Sequence, residues 1–406
     1  MHPDYNNFAP RVGFAYSLAK KTVIRSGFGI FYGRDENIGV NRRLTNNPPF
    51  FVRTAFPTST MTPVIKLDRG FPPGVVDPSR VVDPEVNSYP REYRTPYVIQ
   101  WNFNLEREVF ANTVLQVGYT GSGARKLYFP LDMNRPLPGA GAINPRRPFR
   151  GYVGILNYAP LVRSSYNALV ARLERRFSAG WTLLASYTYG HSLDNGRNQN
   201  DNGDPGPMDS RNMNLEHASS NYDIRHRFVS SYVWELPFGR GRPWLGSSRL
   251  ADALLGGWSV SGITSLQGGL PYTVQLNRDP CNCTSPGRPD RLRDGSLQRE
   301  QRTLQRFFDL SAFPDPALAT PGVFRYGGSG RSILRGPGAV NFDFAAARAV
   351  QFAERFRLQF RAELFNLFNT PQFDLPARTI GNPQAGIINS VANSERQIQF
   401  GLRLTF

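Results

Sequence analysis

Few residues in this chain have the types and spacing that chemistry requires. Its four histidines, His2, His191, His217 and His226, are the natural general bases, and none stands in a nucleophile-elbow motif beside a serine. "GSGARK" at 121–126 has the glycines of a phosphate-cradling loop. It has neither the full spacing nor the Lys-Ser/Thr ending, so a turn at a strand end is expected there. No catalytic residue, no cofactor motif and hence no enzyme is expected.

"NQNDNGDPGPMD" places Asn198, Asn200, Asn202, Gly203 and Asp209 at positions 1, 3, 5, 6 and 12 of a calcium-loop pattern. Asn holds the first position, Asp the last, and no helices flank it. An exposed Asn/Asp-rich loop is the simpler expectation, and no metal site is assigned. Cys281 and Cys283, in "DPCNC", are either oxidised or free, and are read as loop residues without a site role.

The formal net charge is +17, and all but four of the 48 cationic side chains are arginine. They are scattered through the chain and form no compact basic helix or tail, so a nucleic-acid partner is not expected. Some recur at every second position: Arg172, Glu174 and Arg176, and then Arg357, Gln359, Arg361 and Glu363. Such a ladder could line a polar lumen, or could neutralise itself through cross-strand pairs.

The elements that would carry this ladder are strands. With 29 Phe, 17 Tyr, 38 Gly and 33 Pro among 406 residues, the chain is rich in strand formers and in turn residues. Alternation of apolar and polar residues recurs in "RVGFAY", "YVIQWNFNLE", "WTLLASYTYG" and "ERQIQFGLRLTF", and marks roughly eleven strands, many of nine to twelve residues. That length crosses a bilayer when the strand is tilted. No window approaches the roughly 20 consecutive apolar residues of a spanning helix. A mean hydropathy of −0.40 does not exclude a membrane, because a barrel hides its apolar residues in alternation.

Connection lengths also alternate. Short links at "LAKKT", "VFANT", "FSAGW" and "QFAER", and a longer Gly-rich one from "LPFGRGRPW", separate long stretches at about 34–95, 122–165, 191–225, 276–340 and 369–396. Short periplasmic turns and long extracellular loops give an outer-membrane barrel this rhythm. The expected fold is all-β, an antiparallel up-and-down transmembrane β-barrel in the outer membrane of a Gram-negative bacterium. Trp101, Trp181, Tyr187, Tyr189, Tyr232 and Trp234 are candidates for aromatic girdles.

"NNFAPRVGFAY", "SSYNALVARLERRFSAGWTLLASYTYGHSLDN", "DIRHRFVSSYVWELPFGRGRPW", "LLGGWSVSGITSLQGGLPYTV" and "RLQFRAELFNLFNTPQF" together resemble the barrel region of TonB-dependent receptors, in particular the Oar-like group. The resemblance implies a 22-stranded barrel of which residues 1–406 hold the C-terminal half, N-terminally incomplete, without signal peptide or plug. It implies ligand capture by long extracellular loops and uptake through the lumen. Implied partners are outer-membrane lipid and lipopolysaccharide, the barrel assembly machinery, an unknown ligand, and the TonB energy-coupling system through the plug. It also makes Phe400, Leu402, Leu404 and Phe406 the assembly signal, and Arg172, Glu174, Arg176, Arg357, Arg361 and Glu363 the lumen-facing candidates. The alternatives are a barrel with a structural or adhesive role, and a secreted soluble β-rich protein that binds polysaccharide.

Overall fold

A computed structural model describes residues 4–33, 44–51, 70, 83–196, 206–239, 241–245, 249–352 and 356–406. Eleven long strands lie side by side in chain order: β1 Arg11–Ala19, β2 Thr22–Tyr32, β3 Tyr97–Phe110, β4 Thr113–Asp132, β5 Gly154–Ser178, β6 Trp181–Asp194, β7 His226–Glu235, β8 Trp258–Gln267, β9 Ala339–Phe352, β10 Phe356–Phe365 and β11 Gln397–Thr405. Every neighbouring pair is antiparallel. No helix among the described residues is long and apolar enough to cross a membrane, which says nothing of crossing by strands.

The turns at one rim are tight because their residues accept left-handed backbone. Between β5 and β6, Ala179 (φ 53°) and Gly180 (φ 84°) both adopt it, as a two-residue hairpin of matching twist requires. The exception at this rim joins β7 to β8 and contains a helix, α1, Arg249–Leu255. The opposite rim carries the long connections.

Register carries one apolar face across the whole sheet, because residues paired across strands point the same way. Phe28 of β2 pairs with Trp101, Leu105 with Val117, Leu173 with Ala185, and Trp181 with Trp234. The line continues through Val260 beside Trp234, Phe344 beside Leu364, and Phe360 beside Leu402. The other face is polar: Asn104 pairs with Gly118, Gln116 with Arg172, Ser186 with Val229, and Arg361 with Gly401.

Three expectations change. The stretch 122–165 is mostly strand, since β4 runs for 20 residues and β5 for 25, leaving 133–153 as the connection. Both strands exceed the roughly 9–11 residues that span a bilayer, so they continue beyond it. "GSGARK" is accordingly part of β4 and not a turn. The Gly-rich link after β7 holds a short helix where only loop was expected.

The larger hydrophobic core lies outside the sheet, and a smaller one packs Met213 on Leu131 of β4 and Val162 of β5. Tyr272, Val274, Phe308, Ala312, Phe313 and Leu334 form a buried cluster in the connections between β8 and β9, with Leu375 and Ile380 packed on it from the connection before β11. A two-residue strand pair, Gln275–Leu276 with Thr379–Ile380, joins those two connections. Together they form a folded cap at the long-connection rim.

Candidate functional site

Four connections build the cap. Asn282 donates through Nδ2 to the carbonyls of Gly139 and Gly141, 3.0 and 2.8 Å away, tying the β4–β5 connection to the β8–β9 connection. Arg135 donates to the Pro207 carbonyl at 2.8 Å, which brings in the β6–β7 connection.

Inside the cap, arginines meet carboxylates away from water. Arg288 is fully buried and pairs with Glu216, itself 2 % exposed, whose other oxygen accepts from the Met208 N–H at 3.0 Å. Arg331 pairs with Asp194 at the end of β6 and donates to the Glu216, Gly196 and Asp194 carbonyls. Arg335 pairs with Asp223. Each arginine comes from the β8–β9 connection, and each carboxylate from the end of β6 or the connection after it. Charge-assisted bonds therefore lock one long connection onto another.

Asp223 is the busiest of these groups. It accepts from the Ser192 N–H at 2.7 Å, from Arg225 at 3.1 Å, and from Arg335, and it contacts His191 Nδ1 at 3.2 Å. Arg225 also reaches His191 Nε2 at 3.0 Å. A guanidinium can only donate, so that nitrogen accepts and the ring proton sits on Nδ1, facing Asp223. Burial pushes the Asp223 carboxyl up, but the bonds from Ser192, Arg335 and His191 outweigh it and hold it below the usual range. Asp290 is lowered by the Arg325 fork, at 2.8 and 2.6 Å, and Asp309 by the Ser311 hydroxyl and Arg293.

Arg147, Arg150 and Asp83 line an open pocket of about 320 Å³ with Asn144, Pro145, Gly151 and Tyr152. It is a basic concavity on the cap.

On the polar face, Arg172 contacts Glu174 at 2.8 Å and Arg361 contacts Glu363 at 2.8 Å, each along its own strand, with the first three nearly half-exposed and Glu363 23 % exposed. The ladder is thus partly self-neutralising along single strands, and not through the cross-strand pairs that were one of its two expected readings. Arg357 pairs in register with Thr405, on the same face. Arg176 donates its N–H to the Asn112 carbonyl at the tight-turn rim.

Asn198, Asn200 and Asn202 lie outside the described residues. Asp209 accepts from Arg211 at 3.1 Å, so an arginine occupies the carboxylate of that calcium-loop candidate. Cys281 and Cys283 are joined by a disulfide beside Asp279, which accepts the N–H groups of Cys281, Cys283 and Thr284. Asp279, Cys281 and Cys283 are the grouping of metal-ligand type among the described residues, but both sulfurs are committed to each other. Phe400, Leu402 and Leu404 lie on the apolar face of β11, and Phe406 follows it, 90 % exposed.

The family described as outer membrane beta barrel domain matches residues 1–399. The chain belongs to that family. Its apolar face is therefore the lipid-facing wall of an outer-membrane barrel, the tight turns are periplasmic, and the cap is external. Similar solved structures include the outer membrane transporter YddB from Escherichia coli, at 11 % identity and TM-score 0.49, covering 98 % of this chain and 40 % of that one. FpvA of P. aeruginosa bound to a heterologous pyoverdine is similar at 8 % identity and TM-score 0.45, covering 99 % of this chain and 33 % of that one. The siderophore receptor PiuA from Acinetobacter baumannii is similar at 7 % identity and TM-score 0.45, covering 97 % and 35 %. The chain spans between a third and two fifths of the length of those three. No curated protein matches it.

Proposed function

We propose that the chain is the wall and external cap of an outer-membrane receptor of the TonB-dependent, Oar-like type, which captures a solute on the cap and passes it through the lumen. The observation that carries this reading is the cap itself. Four long connections fold into one packed body with a buried core over one end of the sheet, and an arginine-lined pocket opens on it. A barrel whose loops served only to join strands would have no use for such a body. Arg172, Glu174, Arg176, Arg357, Arg361 and Glu363 would line the route, and Phe400, Leu402, Leu404 and Phe406 would present the end of β11 to the assembly machinery.

Sheet direction adds a constraint. Counting from β1, the odd-numbered strands run toward the periplasm, so β1 and β11 are parallel and cannot seal antiparallel to each other. An odd number of further strands between them would close the wall, as the half-barrel reading requires. Unpaired edges are not tolerated in hydrocarbon.

The test compares uptake in the host lacking this gene with uptake after restoration by the intact gene or by one carrying Arg147→Glu and Arg150→Glu. Probes are labelled ferric siderophore and labelled oligosaccharide. The reading expects uptake of one probe to be lost, restored by the intact gene, and reduced at least severalfold by the charge reversals. Unchanged uptake with lost surface attachment would favour an adhesive barrel instead. The rigid, ion-paired interior of the cap is the observation that suits that second reading.

A further inference from the structure

We infer that the periplasmic connection between β7 and β8 is a membrane-surface anchor, with α1 lying in the headgroup boundary of the periplasmic leaflet against phospholipid. This rests on the lipid-facing wall and not on the transport reading.

The position of α1 follows from who bonds it. Arg348 of β9 pairs in register with Trp258 of β8 on one side and with Phe360 of β10 on the other, and Phe360 pairs with Leu402. Arg348 therefore stands on the lipid-facing side, near the periplasmic end. A cation there needs partners, and Arg348 reaches the Gly256 carbonyl at 3.1 Å and the carbonyls of Asp252 and Ala253. Trp258, on the same side, donates Nε1–H to the Leu254 carbonyl at 3.0 Å. Two lipid-facing side chains thus bond carbonyls of the C-terminal turn of α1, where a helix runs out of its own donors, although the Asp252 carbonyl also accepts from the Gly256 N–H at 2.9 Å. The helix is fixed outside the wall and not across the lumen mouth.

A seven-residue helix does not persist in water unaided. Three leucines of α1 are exposed: Leu250 is 78 % exposed, Leu254 68 % and Leu255 47 %. Leu250 and Leu254 are one turn apart and share a face. Trp244 and Leu245, in the same connection, are 58 % and 46 % exposed. The three other periplasmic links of the sheet that lie wholly within the described residues are tight turns. An apolar helix face continuous with a lipid-contacting wall, with tryptophan and arginine at its level, has the chemistry of an interfacial segment.

The experiment uses the protein as the host makes it, purified from the outer membrane and reconstituted into vesicles of phosphatidylethanolamine and phosphatidylglycerol, with heat-modifiable migration reporting the folded wall. A nitroxide is placed at Leu254→Cys, and in a separate protein at Leu292→Cys on the cap, and relaxation by oxygen is compared with relaxation by a water-soluble nickel chelate. The ratio of oxygen to nickel accessibility should be at least about fivefold higher at Leu254 than at Leu292. Leu250→Cys repeats the measurement should the first variant fold poorly. Equal ratios at both places would overturn the proposal, and exclusion of both reagents at α1 would overturn it in favour of a protein partner. Arg348→Gln should loosen the label and lower its ratio toward the cap value, which a merely packed helix would not do.

Discussion

Phe103 of β3, Leu169 of β5 and Tyr189 of β6, on the apolar face of the wall, are 47–48 % exposed, whereas Tyr272, Val274, Phe308 and Phe313 of the cap are 2 % exposed or less. Charges differ in the same way. Arg172 and Glu174 of the wall meet nearly half in the open, and Arg288 and Glu216 of the cap meet fully enclosed. The wall is written for lipid as its second solvent, so its apolar residues need no protein partner. The cap lies in water and must bury its own. One chain therefore shows two ways of satisfying the same backbone and side-chain demands, and each can be attacked separately.

The sharpest attack is on the enclosed charges. Arg288→Met should strand the Glu216 carboxylate and cost about 3–5 kcal/mol of cap stability, read as faster hydrogen exchange across 206–225 and 276–340 with the wall unchanged. Adding Glu216→Met should recover much of that loss, since an apolar pair of similar volume replaces a buried ion pair at little cost. If the single variant leaves exchange in the cap unaltered, the cap is not held by its interior.

The wall answers to a different change. Leu402→Arg should cost about 2–4 kcal/mol in vesicles if Leu402 lies near the bilayer midplane, measured as a lower urea midpoint, and should leave cap exchange alone. A solvent-facing sheet would tolerate it.

Acid should separate the regions next. Asp223, Asp290 and Asp309 have folded values held below their unfolded value of about 3.9. The stability they contribute is complete above that value and is lost as pH falls through their folded values. Titration from pH 6 toward pH 2 should therefore raise exchange in the cap first, roughly below pH 4. The smallest effect is expected at the wall ladder, where Arg172→Gln should change stability by under about 1 kcal/mol because its pair with Glu174 is solvent-screened.

How much of this was legible in the sequence follows the same division. The strands announce themselves because lipid on one side and polar groups on the other impose strict alternation, as in "IQFGLRLT". The boundaries of β4 and β5 do not, since β4 continues past the membrane through Gly121, Gly123 and Pro130 and β5 through Pro160, residues that ordinarily punctuate. The cap core has no period to read: Tyr272, Phe308 and Leu334 come together from distant points of the β8–β9 connection. Arg288, Arg331 and Arg335 look like ordinary loop cations. The signal that could have singled them out is an arginine set among Gly, Pro and apolar residues, as in "SPGRPD" and "SILRGPG". Helix α1 is too short for its leucines to form a recognisable stripe.

The long reach of the cap's ion pairs carries a consequence in time. Arg331 meets Asp194 across 137 residues, Arg335 meets Asp223 across 112, and Arg288 meets Glu216 across 72. None of these partners can find the other cheaply until β6 to β9 have been laid side by side, because closing such loops costs entropy before any contact rewards it. The strands thus act as a loom and the cap as the knot tied last. An antibody that recognises only the knotted form would count finished molecules at the cell surface and ignore those still being woven.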